Sequence, residues 1–114
     1  LIIVGLGAND MLRGIDPSIA KKNLEEIIKK IQNKNIEILF TGMVATISRG
    51  LSYKKKFDQI YEDLSKEYKL NYMPFLLKGV ALKPEYNQSD GIHPNFEGLK
   101  IISKNLKKSI INIM

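Results

Sequence analysis

Apolar positions along this chain fall into two kinds of block: short continuous runs, and longer stretches with an apolar residue every three or four positions. Leu1 to Leu6 is a run of the first kind, closed by glycine, and suits a buried parallel strand. Gly7-Ala8-Asn9-Asp10 reads as a turn at the carboxyl end of that strand. Asp16-Pro17 reads as an N-cap followed by proline in the first helical position. From there Ala20, Leu24, Ile27, Ile28 and Ile31 make one apolar stripe, with Lys21, Lys22, Glu25, Glu26, Lys29 and Lys30 toward water. Asn33-Lys34-Asn35 ends this helix. Ile36 to Thr41 is a second strand, and Gly42 to Ser52 a loop whose first half, Met43-Val44-Ala45, is apolar. A second helix runs from about Tyr53 to Tyr68, with Phe57, Ile60, Tyr61, Leu64 and Tyr68 inward, and Asn71 to Phe75 gives a third strand. Leu76 to Leu82 is apolar and suits a short helical turn. Lys83 to Asn95 is a long polar loop, and a last helix follows with Leu99, Ile102, Leu106, Ile110 and Ile113 inward.

Strands alternating with helices imply an α/β fold with parallel strands joined by right-handed crossovers. In such sheets functional loops leave the carboxyl ends of the strands. Asn9 and His93 both fall on such loops, so the expectation is that they share one edge of the sheet. No internal repeat, linker or low-complexity segment interrupts residues 1–114, which are expected to form a single domain.

Composition narrows the function classes. Hydrophobic residues make up 44% and charged residues 26%, ordinary values for a globular chain. The absence of cysteine excludes disulfides, thiolate metal sites and a cysteine nucleophile. The net charge is +6, but of the 18 basic residues only Arg13 and Arg49 are arginine. The lysines are scattered over expected helix surfaces, without the arginine and aromatic clusters that read or stack on bases, so no nucleic-acid partner is expected. No apolar run approaches a membrane span, so no stable membrane insertion is expected. The chain begins without methionine and directly inside an apolar strand, so the natural N-terminus is expected upstream. The compartment is therefore not legible.

Two short motifs carry chemistry. Ser89-Asp90-Gly91-Ile92-His93-Pro94-Asn95 contains the only histidine, with a carboxylate three residues before it. Pro94 biases His93 toward an extended backbone, and Gly91 allows the sharp turn that folds Asp90 back to the ring. A carboxylate-held imidazole is the base half of a nucleophilic triad; the plainer alternative is an exposed loop histidine with an unrelated acidic neighbour. Asn9, on a tight strand-to-loop turn, can donate a hydrogen bond to a developing oxyanion, a contribution typically worth about 2.7–4 kcal/mol. Its plainer alternative is a turn residue bonding its own backbone.

Together, Leu6-Gly7-Ala8-Asn9-Asp10 with Leu12-Arg13-Gly14, Leu82-Lys83-Pro84 and Asp90-Gly91-Ile92-His93-Pro94-Asn95 resemble the SGNH hydrolases, also called the GDSL esterase/lipase family. The likeness is greatest to the bacterial branch of arylesterases and the multifunctional thioesterase/lysophospholipase. The resemblance implies a three-layer α/β/α flavodoxin-like parallel sheet of order 2-1-3-4-5, here missing its first two strands. It implies hydrolysis of a small carboxylic ester or thioester through a serine acyl-enzyme, with no cofactor or metal. His93 is then the general base, Asp90 its orienting group and Asn9 an oxyanion-hole donor. Gly7, Met43, Val44 and Leu76 are the residues expected nearest the substrate, the apolar ones being as readily core or loop packing. Asp10, Arg13 and Asn95 are read as structural, Asn95 as the cap of the last helix.

The departure from the family is large. Its Gly-Asp-Ser-Leu block and its oxyanion-hole glycine block are not found among these residues. None of Ser18, Ser48, Ser52, Ser65, Ser89, Ser103 or Ser109 stands in a Gly-Asp-Ser context. The expectation is a C-terminal portion of an SGNH hydrolase, inactive alone, whose first strand is an open apolar edge prone to self-association. Two rivals are weaker. Gly5-x-Gly7 after a strand faintly suggests a phosphate binder, but Asp10 stands where the third glycine would be and would repel phosphate. A non-catalytic SGNH-like binding module would explain the missing serine block, but not the joint presence of Asn9, Asp90 and His93.

Overall fold

Three short strands, each paired in parallel with its neighbour, organise the N-terminal unit: β1 (Ile2–Val4), β2 (Ile38–Thr41) and β3 (Asn71–Met73), in the order β1-β2-β3. The computed structural model describes residues 1–114, which divide into two units, Leu1–Pro74 and Phe75–Met114. β2 is central and buried at every position. Ile38 and Phe40 enter the hydrophobic core, while Leu39 and Thr41, on the alternate face, are buried as well. Burial on both faces is why this stretch reads as an unbroken run of apolar and branched residues.

The expected six-residue buried strand at Leu1 to Leu6 is only three residues long, and within it only Val4 is buried. β1 lies at the edge of the sheet with a neighbour on one side alone, and its Ile2 and Ile3, like Leu1 and Leu6 beside it, are exposed. The turn expected at Gly7-Ala8-Asn9-Asp10 is instead the start of a short helix, α1 (Ala8–Leu12), with Gly7 as its N-cap at φ 118°. A Cβ is poorly tolerated at that dihedral, and glycine lets the chain leave β1 and coil at once.

Two longer helices cross between the strands, α2 (Pro17–Gln32) and α3 (Leu51–Glu67). Asp16 caps α2 as expected, accepting from Ser18 N at 2.9 Å, with Pro17 in the first turn. The apolar stripes of both helices close on the sheet: Ala20, Leu24 and Ile28 from α2, and Phe57, Ile60, Tyr61 and Leu64 from α3, join Val4, Ile38 and Phe40 in one core. Tyr53, Phe57, Tyr61 and Phe40 form a chain of aromatic contacts with successive centroids 5.7, 6.1 and 5.5 Å apart. Each such pair adds about 0.5–1.5 kcal/mol beyond the area it buries. α3 begins two residues earlier than the periodicity suggested, directly after a 3-10 turn at Ile47–Arg49.

In the second unit the Leu76–Leu82 stretch coils into successive turns, with Val80 N and Ala81 N both donating to Leu77 O at 2.9 and 3.0 Å. The expected polar loop is more ordered than its composition suggests: it contains a 3-10 turn at Pro84–Tyr86 and an antiparallel bridge between Asn87 and Pro94. The last helix, α4 (Phe96–Ile113), starts at Asn95, whose side chain accepts from Gly98 N at 3.0 Å. Gly98 packs so closely on the 3-10 turn that a Cβ there would lie 2.2 Å from Tyr86 O. Of the residues expected inward, Ile102 is buried and Leu106, Ile110 and Ile113 are half-buried, but Leu99 is 53% exposed. Periodicity identifies a face of a helix without supplying the surface that covers it, and Leu99 lies on an open stretch of groove along α4. No helix is long and apolar enough to cross a membrane.

Candidate active site

The second unit builds the Asp90–His93 pair from a tight local turn. Gly91 takes φ 71° and donates its N–H to Gln88 O at 2.9 Å, which reverses the chain after Asp90. One carboxylate oxygen, Oδ1, accepts from the backbone N–H groups of Ile92 and His93 at 2.9 and 3.0 Å. The other, Oδ2, lies 2.6 Å from His93 Nδ1. Asp90 therefore fixes the backbone that carries the imidazole and the ring itself. The bond to the His93 ring, followed by the backbone donors of His93 and Ile92, draws the Asp90 carboxyl down to about 2. At neutral pH it is a carboxylate accepting from Nδ1–H, so Nε2 is the ring nitrogen left to accept a proton. The imidazole is 70% exposed.

The turn is braced from behind by amide side chains. Asn87 donates to Val80 O and Lys83 O, both at 2.8 Å, and Asn95 donates to Glu85 O at 2.9 Å while capping α4. Gln88 N donates to His93 O at 2.8 Å, tying the two ends of the motif together. Asn95 thus has the structural role expected of it. Ser89, next to this pair in sequence, is exposed.

The first unit carries Asn9. It is the second residue of α1, is exposed, and its amide enters none of the protein's side-chain hydrogen bonds. The self-bonded turn that was its plainer alternative is therefore not what forms. Gly7 lies beside the Tyr61 hydroxyl and near Met43: a Cβ built on Gly7 would be 3.8 Å from the Met43 sulfur. Met43 is half-buried against the core and Val44 is exposed. Their loop is pinned just beyond them, where the buried Ala45 donates its N–H to Asp58 Oδ1 at 2.7 Å; Asp58 Oδ2 also pairs with Lys54 at 2.7 Å. Among the expected site residues, then, Gly7, Asn9, Met43 and Val44 belong to the first unit, and Leu76, Asp90 and His93 to the second. Leu76 is half-buried.

Three residues that bond the carbonyls flanking the Asn9 helix left no signal in the sequence. Tyr61 OH donates to Leu6 O at 2.9 Å, Tyr53 OH to Ile15 O at 2.7 Å, and Arg49 Nη2 to Leu12 O at 2.8 Å. Their apolar or basic character was visible, but the pairing spans 37 to 55 positions and leaves no local pattern.

The family described as GDSL-like Lipase/Acylhydrolase matches residues 1–101. The chain is 34% identical over 109 residues to the thioesterase 1/protease 1/lysophospholipase L1 of Escherichia coli K12, a match covering 96% of this chain and 52% of that protein. It is 31% identical over 111 residues to an arylesterase of Vibrio mimicus, covering 97% of this chain and 56% of that one. Among solved structures, TesA superposes with a TM-score of 0.92 at 27% identity, covering 100% of this chain and 63% of that one. The chain thus spans about half the length of the curated relatives it matches.

Proposed function

The chain belongs to the GDSL-like lipase/acylhydrolase family, and on that premise we propose that it carries the base, its orienting carboxylate and an oxyanion donor of a serine ester or thioester hydrolase. The single observation that carries the proposal is the Asp90–His93 pair, with Oδ2 2.6 Å from Nδ1 and the backbone N–H groups of Ile92 and His93 bound to the same carboxylate. An aspartate engaged in this way selects the tautomer in which Nε2 is the base, and it stabilises the imidazolium formed when that nitrogen takes a proton.

In the proposed reaction a serine hydroxyl attacks the acyl carbon and its proton passes to His93 Nε2. Asn9 Nδ2 donates to the oxygen that becomes negative as the tetrahedral intermediate forms. Collapse of that intermediate breaks the bond to the alcohol or thiol, which leaves with the proton from His93. Water then repeats the sequence on the acyl-serine and releases the acid. The serine is proposed to lie in the polypeptide outside residues 1–114, these residues being a C-terminal portion of the enzyme. Two facts support this: the curated relatives are about twice as long as the match, and none of the chain's serines stands in a Gly-Asp-Ser context. Gly7, Met43, Val44 and Leu76 are proposed to line the acyl side of the site, a role favoured for Met43 by its position beside Gly7.

The test is turnover of a short-chain p-nitrophenyl ester and an acyl thioester by the native polypeptide that contains these residues. His93→Ala is expected to lower kcat by about 10⁴-fold or more. Residues 1–114 by themselves are expected to turn over neither substrate. Unchanged turnover in His93→Ala removes His93 as the base.

A further inference from the structure

Helix α1 is five residues long, far below the length at which a helix is stable by itself. Yet its C-terminal carbonyls are all satisfied. Asn9 O accepts from Arg13 N at 3.0 Å, Asp10 O from Ile15 N at 2.9 Å and Met11 O from Gly14 N at 3.1 Å. The last, Leu12 O, has no backbone donor and accepts from Arg49 Nη2 at 2.8 Å. Tyrosine hydroxyls from α3 bind the carbonyls just outside the helix: Tyr61 takes Leu6 O before it and Tyr53 takes Ile15 O after it. Three side chains drawn from Arg49 to Tyr61 thus fasten both ends of the segment that presents Asn9.

The glycines at the two ends give an independent sign of the same arrangement. Gly7 and Gly14 bracket α1, with φ of 118° and 68°. A Cβ on Gly7 would lie 1.9 Å from the Tyr61 hydroxyl oxygen, and one on Gly14 would lie 2.4 Å from Arg49 Nη1. Each end of the helix therefore leaves open the space that one of these side chains fills. Tyr61 is fully buried, and burial raises its phenol well above the ordinary range, so its hydroxyl stays a donor throughout the working pH range. Met11 anchors the inner side of the same helix at 7% exposure, while Asn9 is left on the outside.

We infer that Tyr61, Tyr53 and Arg49 are positioning residues that set where the Asn9 amide points, an inference that rests on the reading of Asn9 as the oxyanion donor. A donor of this kind acts only when it lies about 2.7–3.1 Å from the oxygen of the tetrahedral intermediate. Loosening α1 therefore reduces stabilisation of the transition state while leaving ground-state binding of the ester in place. The signature is a fall in kcat at constant KM.

The experiment compares Tyr61→Phe, Arg49→Ala and Asn9→Ala, and each of the first two combined with Asn9→Ala, in the native polypeptide hydrolysing a p-nitrophenyl ester. Asn9→Ala is expected to lower kcat by about 10²–10³-fold. Tyr61→Phe and Arg49→Ala are each expected to lower it by about tenfold with KM unchanged. In the Asn9→Ala background both should have less than about a twofold effect, because no donor remains to be positioned. Arg49 is exposed, so its variant remains informative even if Tyr61→Phe does not fold. If Asn9→Ala lowers kcat while both other variants match the parent, or act just as strongly without Asn9, the positioning role is overturned and the oxyanion reading stands. If Asn9→Ala itself leaves kcat unchanged, the oxyanion reading fails and the inference falls with it.

Discussion

Replacing Gly7 by alanine puts a methyl group where the Tyr61 hydroxyl already sits. The built Cβ lies 1.9 Å from that oxygen and 3.2 Å from the ring carbon bearing it. Tyr61 cannot swing aside cheaply, since it is fully buried and packs against both Phe40 and Phe57. The backbone at φ 118° adds strain of about 1–3 kcal/mol for any residue with a Cβ. Loss of the hydrogen bond to Leu6 O adds about 0.5–1.5 kcal/mol. The expected destabilisation is about 2–4 kcal/mol, large for a domain of this size. Urea denaturation followed by far-UV circular dichroism measures it directly. The steric part has its own control: Gly7→Ala combined with Tyr61→Phe removes the colliding oxygen, so the double variant should be more stable than the sum of the two single losses by about 1 kcal/mol. A Gly7→Ala protein within about 0.5 kcal/mol of the parent would refute the close packing of this turn. A strictly additive double variant would refute the assignment of the collision to the hydroxyl.

Three further outcomes are expected. The Asp90 carboxyl, drawn to about 2 by the His93 ring and the backbone donors of His93 and Ile92, favours the folded turn fully above the ordinary carboxylate value of about 3.9 and loses that effect as pH falls toward 2. The NMR signals of the Ile92 and His93 amides should therefore shift with a midpoint near 2, and a midpoint near 4 would contradict the bonding described. Asn95→Ala removes the α4 cap together with the amide donor to Glu85 O, and should cost about 1–2 kcal/mol; a loss below about 0.3 kcal/mol would show that the cap is dispensable. Residues 1–114 alone should self-associate through the open edge of β1, and Ile3→Lys should weaken that association. A monomer at high concentration in size-exclusion chromatography with light scattering would count against it.

Much of this architecture can be read from local pattern. The branched run expected as a strand at Ile36 to Thr41 contains the central strand, two residues shorter at Ile38–Thr41, while Asp16-Pro17 opens α2 and Asn95 opens α4, because each depends on neighbouring residues in the chain. The Asp90–His93 contact was legible for the same reason, as its partners are three positions apart with a glycine between them. The short helix at Ala8–Leu12 was not. Five residues give no periodicity, and what stabilises them is Arg49 and Tyr61, 37 and 55 positions away from the carbonyls they bind. Leu99 was misread for a related reason, since an apolar stripe carries no information about which part of it will be covered. Composition likewise describes Lys83 to Asn95 as a polar loop, whereas its asparagines act mainly as donors to the chain's own carbonyls and order it.

If His93, held by Asp90, activates a serine for acyl transfer, a reactive alkyl phosphonate ester should label that serine in the native polypeptide, and peptide mass spectrometry locates the adduct. One adduct is expected, on a serine outside residues 1–114, formed at least about 10³-fold more slowly in His93→Ala. An adduct on a serine within these residues, or labelling at the parental rate in His93→Ala, would contradict it.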